Sequence, residues 1–280
     1  MKKVVCIVGP TGSGKTALSV KLAKSLGAEI INGDSVSIYK KLDIGSAKIT
    51  TDEMDGVKHH LISHVALDEP YTVYNFQQDV RTLIDQIDKP FIVGGSGLYV
   101  KSALYNYEFE QQDNVEFPNI NEMIEVIRKA DPDIEIDLNN PRRIESAYRT
   151  IISGQKRSNK TKKNEPLYDI YLIYLDMDRK ILKKRLETRL DLMIEKGFIE
   201  ETKALINYDL NIIGYREIKD YLNGMNDLDT AKEKIITATM RFAKRQKTWF
   251  INQMKPKVYN ALSPDLLDEC LKDIKEFIGV

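Results

Sequence analysis

The sequence predicts an α/β protein: a parallel sheet flanked by helices, interrupted by a small, mainly helical insertion. Three observations carry that expectation. Short apolar runs alternate with helical segments through the first hundred residues; a glycine-rich turn joins the first such pair; and the alternation stops near residue 107 and resumes near residue 166. Strands that alternate with helices pair in parallel through right-handed crossovers, which covers both faces of the sheet.

Residues 4–8 are Val-Val-Cys-Ile-Val, without a polar position, and read as a buried strand. Residues 9–14 form the glycine-rich turn, 15–26 an amphipathic helix, and 28–32 a second short strand that ends at Asp34-Ser35. Residues 90–93 give another strand, cut by Gly94-Gly95 and followed by helix from Leu98. Residues 107–165 are the expected insertion. Ten acids oppose two bases over 108–139, whereas fourteen bases oppose six acids over 141–189. Within it a helix runs from Pro141 to Ser153, with Asn140 as N-cap and Gly154 as its stop. Residues 155–166 carry Lys156, Arg157, Lys160, Lys162 and Lys163 with almost no apolar residue, and read as a basic loop. The core then resumes with a strand at 168–175, helix over 179–207 and a long helix over 231–252. The expected catalytic core is therefore 1–106 with 166–280.

Composition narrows the class. With 280 residues, 42% hydrophobic and 30% charged, the chain has material for one large domain or one domain with an insertion. Its 42 basic and 42 acidic residues balance, which excludes a globally basic nucleic-acid coat but not a local basic surface. Two distant cysteines, Cys6 and Cys270, support neither a disulfide framework nor a cysteine zinc site. No apolar stretch approaches the roughly 18 residues of a membrane helix, and Met1-Lys2-Lys3 with a five-residue apolar run is too short for a secretory signal. The expectation is a cytoplasmic enzyme without a membrane partner, acting as a monomer.

Gly9-Pro10-Thr11-Gly12-Ser13-Gly14-Lys15-Thr16 matches G-x-x-x-x-G-K-[ST], between a strand and a helix as that motif requires. Its glycines let successive backbone N–H groups curl around phosphate oxygens, and the helix start adds its dipole. Lys15 can neutralise the terminal phosphate, and the Thr16 hydroxyl can ligate Mg²⁺. The core is thus P-loop NTPase-like. The motif binds a polyphosphate without saying which.

Asp34 follows the second strand and should emerge at the same sheet edge as the phosphate loop. There it can take a proton from a nucleophile, or hold Mg²⁺ through water; it can equally cap the next turn. Asp43 and Lys48 are further polar groups near that edge. On the long helix, Arg241, Lys244, Arg245 and Thr248 share one face. Such a stripe is either a solvated surface or a cationic clamp on departing phosphates, and Arg216 after Gly214-Tyr215 is a second clamp candidate. His60 and His64 have i, i+4 spacing but lack the Glu of H-E-x-x-H, so with His59 they read as packed or hydrogen-bonding residues.

Taken in order, these landmarks make the chain resemble the bacterial tRNA dimethylallyltransferases, or tRNA isopentenyltransferases, from end to end. Besides the phosphate loop they are Asp34-Ser35 with Tyr39, Asp43-Ile44-Gly45-Ser46-Ala47-Lys48, His59-His60-Leu61, and Gly94-Gly95-Ser96-Gly97-Leu98-Tyr99. Then follow Asn140-Pro141-Arg142-Arg143, Arg185 and Arg189 with Asp191, Met193 and Gly197, Gly214-Tyr215-Arg216-Glu217, and Ala243-Lys244-Arg245-Gln246 with Thr248-Trp249. The phosphate loop is shared by many families; the later landmarks in this order are far more specific.

The resemblance implies transfer of a dimethylallyl group from dimethylallyl diphosphate to the exocyclic amine of the adenosine 3′ of the anticodon, in tRNAs reading codons that begin with U. The phosphate loop would hold the diphosphate leaving group, with Mg²⁺ at Thr16 and with Lys15, Arg216 and Arg245 stabilising its charge. Asp34 would accept the amine proton. Asp34, Ser35, Val36, Ser37 and Ser96 would meet the extruded base, Ser96 standing where the family usually has Thr. Arg142, Arg143, Lys156 and Arg157 would grip the tRNA anticodon stem-loop. Two positions depart from the family pattern: Ser37 replaces a common Gln, and Ser146 replaces an Arg, with Arg149 one turn on. The insertion is also shorter than usual, and its acidic part repels RNA, which assigns the RNA face to residues 141–163. The rivals are a small-molecule phosphotransferase using ATP, an isopentenyltransferase acting on free adenine nucleotides, and a non-enzymatic RNA-binding P-loop protein.

Overall fold

The computed structural model describes residues 1–109, 116–158 and 164–280. The expected basic residues Lys160, Lys162 and Lys163 lie outside the described residues. The chain forms two compact units, Met1–Leu104 with Tyr168–Val280, and Tyr105–Leu167. The expected boundaries at 107 and 165 fall two residues inside the second unit.

In the first unit the elements run β1 (Lys3–Val8), α1 (Lys15–Leu26), β2 (Glu29–Asn32), α2 (Thr51–Met54), β3 (His59–His60), α3 (Val73–Gln86), β4 (Pro90–Gly94) and α4 (Gly97–Leu104). The second unit holds α5 (Ile120–Ala130) and α6 (Pro141–Ile152). The first unit then continues with β5 (Asp169–Asp176), α7 (Arg179–Glu195), α8 (Phe198–Ala204), α9 (Tyr215–Leu222), α10 (Leu228–Met254), β6 (Lys257–Asn260) and α11 (Leu266–Ile278).

The six strands lie in the order β3-β2-β4-β1-β5-β6 and every pairing is parallel. β1 is central, paired with β4 and β5, and its residues Val4 to Val8 are buried because helices cover both faces. On one face Leu18, Leu22 and Leu26 of α1 and Cys270 and Ile274 of α11 pack against Ile7, Ile173 and Leu175. Each such fully buried aliphatic side chain contributes roughly 1.5–3 kcal/mol of transfer free energy. A second cluster ties Leu42 to Leu186 and Leu190 of α7, Phe198 of α8, Tyr215 of α9 and Ile235 and Met240 of α10. It holds the helices that follow β5 against the loop that follows β2.

Element boundaries show how local chemistry sets the architecture. The helix expected over 179–207 is two helices, because Gly197 adopts φ 99°, a left-handed conformation that ends one and starts the other. Asp178 caps α7 by accepting from Lys180 and Ile181 N–H at 2.8 and 3.1 Å. α10 begins three residues earlier than expected because Asp227, accepting from Thr230 N–H at 2.7 Å, is its N-cap. In the second unit α5 and α6 bury Met123, Ile127, Ile144 and Ala147 against each other.

Candidate active site

A parallel sheet of this kind collects functional loops at the carboxyl ends of its strands. After β1 the phosphate loop turns into α1 with Gly14 as its left-handed N-cap at φ 90°. Gly12, at φ 80°, approaches α7 so closely that a Cβ there would stand 3.2 Å from Leu186 Cδ2. Lys15 Nζ donates to Pro10 O at 2.8 Å, folding the ammonium over its own loop. Burial lowers the Lys15 pKa to about 8; nearby Asp34 opposes that shift and Arg189 adds to it. Ser13 Oγ is buried with no hydrogen-bond partner among the described residues, an orphan that an anion seated in the loop can satisfy.

After β2, residues 32–37 form a braced turn. Asn32 Nδ2 donates to Asp34 O at 2.9 Å and to Leu61 O at 3.0 Å, and its Oδ1 accepts from Asp34 N–H at 3.0 Å. Asp34 Oδ1 accepts from Val36 and Ser37 N–H at 2.8 and 3.3 Å. One carboxylate oxygen of Asp34 therefore shapes the turn, as the capping alternative expects, while Oδ2 has no hydrogen bond among the described residues. After β4, Gly94 to Gly97 lie beneath α10. Gln246 Nε2 donates to Gly95 O at 2.8 Å, and a Cβ on Gly97 would stand 2.6 Å from Trp249 Cζ3.

Two cavities open at this edge. One, of about 520 Å³, is lined by Thr11, Gly12, Gly14, Lys15 and Thr16 with Asp34. The other, of about 760 Å³, has an apolar wall that includes Leu186, Phe198, Ile213 and Phe242. Asp34, Thr11 and Arg189 line both. Arg189 donates from Nη1 to Thr11 Oγ1 at 3.2 Å and from Nη2 to Ala47 O at 3.4 Å, and burial depresses its pKa. His59, also on the smaller cavity, has its pKa lowered by burial, and its Nδ1 lies 2.8 Å from Val57 O. His60 Nε2 lies 2.7 Å from Glu29 Oε2.

The family model described as IPP transferase matches residues 37–253. The tRNA dimethylallyltransferase of Phytoplasma australiense is 49% identical over 286 residues, which is 99% of each chain. The chain belongs to the IPP transferase family. Among solved structures, the tRNA isopentenylpyrophosphate transferase of Bacillus halodurans matches with a TM-score of 0.77 at 35% identity, covering 100% of this chain and 97% of that one. A eukaryotic dimethylallyltransferase acting on tRNA matches with a TM-score of 0.86 at 27% identity, covering 100% of this chain and 80% of that one.

The expected site residues do not all line one cavity. Ser37 lines the phosphate-loop cavity and Ser35 and Val36 the larger one. Ser96 lines neither: its Oγ accepts from Ser35 N–H at 3.0 Å and donates to Ser35 Oγ at 3.1 Å, so it braces the turn. Arg216 and Arg245, expected on the diphosphate, line only the larger cavity. Arg216 is bound to Glu217 Oε1 and donates to Asn211 Oδ1 at 3.2 Å, and the Arg245 guanidinium lies 5.6 Å from the Phe242 ring centroid. Beside the phosphate loop itself stands Arg189, which lines both cavities. Arg241 and Lys244 are exposed and line neither cavity, consistent with the solvated-stripe alternative for those two residues. Lys48 is tied up structurally, donating to Asp43 Oδ1, Tyr39 O and Ser63 Oγ at 2.6, 2.7 and 2.9 Å.

Arg142, Arg143, Lys156 and Arg157 belong to the second unit. The first three are exposed, and Arg157 Nη1 is buried without a hydrogen-bond partner among the described residues. Asp131, 1% exposed, accepts from Ser158 N–H at 2.9 Å and from Ser158 Oγ at 2.5 Å, pinning the end of this basic segment to the end of α5.

Proposed function

We propose that the protein transfers a dimethylallyl group from dimethylallyl diphosphate to the exocyclic amine of the adenosine 3′ of the anticodon, in tRNAs whose codons begin with U. The observation that carries this reading is that Asp34 lines both the phosphate-loop cavity and the larger one beside it. A carboxylate shared by an anion-binding loop and an apolar chamber suits a reaction in which a diphosphate departs on one side and an amine loses a proton on the other.

The diphosphate sits on the Gly12–Lys15 backbone, with Lys15 and Arg189 countering its charge. As the allylic C1–O bond breaks, the electron pair leaves with the diphosphate. The adenosine N6 lone pair forms the new bond to C1, and its proton passes to Asp34. The apolar wall excludes water that would otherwise capture the allylic cation. The Thr16 hydroxyl on the phosphate-loop cavity is a hard oxygen donor that fits Mg²⁺, which water and phosphate oxygens would complete. When bound, Mg²⁺ supplies charge neutralisation on the leaving diphosphate. Arg142, Arg143, Lys156 and Arg157 contact the anticodon stem-loop, whose target base is extruded to reach the site. Among the described residues no helix is long and apolar enough to cross a membrane. We further propose that the enzyme is cytoplasmic and acts as a monomer. The test is incubation with Mg²⁺, dimethylallyl diphosphate and an anticodon stem-loop, followed by nucleoside mass analysis. An adenosine heavier by one dimethylallyl group is expected, and unmodified adenosine overturns the proposal.

A further inference from the structure

A carboxylate outside the reacting centre is held by an unusual set of partners. Glu201, on α8, accepts from Asp43 and Ile44 N–H through Oε2 at 3.0 and 2.8 Å, and from Gly45 N–H through Oε1 at 2.9 Å. The Tyr215 hydroxyl donates to the same Oε1 at 2.5 Å. Three consecutive backbone N–H groups converging on one anion form a nest, the device that elsewhere binds phosphate; here the protein fills it with its own carboxylate. The fit is tight: a Cβ on Gly45 would stand 2.7 Å from Phe198 Cζ and 2.5 Å from Tyr215 Cζ. Charge-assisted bonds of this kind are about twice as strong as neutral ones, so the loop is clamped rather than merely packed.

What the clamp holds is the loop that aims a cation. Beyond Gly45 the chain turns through Ala47, which takes φ 49°, a left-handed conformation strained for a residue with a side chain. Ala47 N–H donates to Ile44 O at 2.8 Å, so the carbonyl of Ala47 is fixed relative to the clamped residues. That carbonyl accepts from Arg189 Nη2, and Arg189 Nη1 reaches Thr11 of the phosphate loop. Ser46 and Ala47 line both cavities. A continuous series of contacts therefore runs from Tyr215 and Glu201 through residues 43–47 to Arg189 and the phosphate loop.

We propose that Glu201 and Tyr215 are positioning residues: they hold the 43–47 loop so that the Ala47 carbonyl orients Arg189 toward the diphosphate. The proposal rests on the reading of the phosphate-loop cavity as a diphosphate site. Neither residue touches substrate, and both act through Arg189.

The test is a double-mutant cycle on the full chain, with the affinity for inorganic diphosphate read by calorimetry and kcat and KM for dimethylallyl diphosphate read in the transfer assay. Glu201→Gln replaces one acceptor oxygen by an amide donor, and is expected to weaken diphosphate binding about tenfold and to raise the KM for dimethylallyl diphosphate comparably, with the KM for RNA unchanged. Tyr215→Phe, which keeps the buried ring and removes one hydroxyl, is expected to shift the same two quantities about threefold. In an Arg189→Ala background both effects fall below about twofold, because the residue through which they act is gone. Effects of equal size with and without Arg189 overturn the proposal and leave Glu201 as a fold residue alone. If the unmutated protein binds no diphosphate, the diphosphate reading itself fails, an outcome distinct from additivity in a protein that binds it.

Discussion

Lys15 offers a titration that reads the phosphate-loop cavity directly. Its ammonium is held near a pKa of about 8 instead of the usual 10.5, because burial penalises the charged form more than Asp34 compensates. A bound diphosphate places several negative charges beside it and restores the charged form, so binding raises the pKa and takes up a proton wherever free Lys15 is neutral. From a pKa of about 8, the free protein holds Lys15 about 90% charged at pH 7 and about 10% charged at pH 9. Affinity for a non-reactive analogue of dimethylallyl diphosphate should therefore fall about tenfold from pH 7 to pH 9, and proton uptake should rise from about 0.1 to about 0.9 per site. Calorimetry in two buffers with different ionisation heats measures that uptake. Lys15→Met removes the lysine contribution and leaves the ligand's own ionisation to be subtracted. Uptake that stays near zero at pH 9 in the unmutated protein, after that subtraction, refutes the reasoning.

Asp34→Asn keeps the Oδ1 acceptor that Val36 and Ser37 use, so the turn should survive while kcat for transfer falls about 100-fold or more; steady-state kinetics with an unchanged KM for RNA checks this. Arg142→Ala with Arg143→Ala should weaken stem-loop binding and reduce the salt slope of log K by about 1.5, read by fluorescence anisotropy at several salt concentrations; an unchanged slope moves the RNA face elsewhere. Gly97→Ala drives a methyl into the Trp249 ring and should cost about 1–3 kcal/mol in urea unfolding, with turnover loss that tracks displacement of α10.

The parts of the site that local chemistry dictates were legible in the sequence. The phosphate loop needs left-handed glycines, a Lys and a hydroxyl at fixed offsets, and Gly12, Gly14, Lys15 and Thr16 supply them within a few residues. Asp34 was legible because strand ends share an edge in a parallel sheet. Arg189 was among the landmark residues but not assigned to the diphosphate. α7 carries Arg179, Lys180, Lys183, Lys184 and Arg185 as well, and helical spacing does not tell which base meets Thr11 until the packing of Leu182, Leu186 and Leu190 fixes the helix rotation. Glu201 carried no signal, since it falls inside the single helix expected over 179–207 and its partners are backbone groups 156 to 158 residues away. β6 was invisible for a related reason. Three of its four residues are exposed at the sheet edge, so no apolar run announces it. α3 was not among the expected elements, although Thr72 ahead of Phe76, Val80 and Ile84 at helical spacing is a helix signal.

One measurement bears most directly on the central claim that a diphosphate leaves from the phosphate loop as an adenosine amine is alkylated. The protein is supplied with ATP, Mg²⁺, an anticodon stem-loop and dimethylallyl diphosphate labelled at C1, and diphosphate release, label in adenosine and ATP consumption are counted together. One diphosphate released for each labelled adenosine, with ATP untouched, is the expected result. Consumption of ATP with phosphoryl transfer to an acceptor, and no label in adenosine, would contradict it.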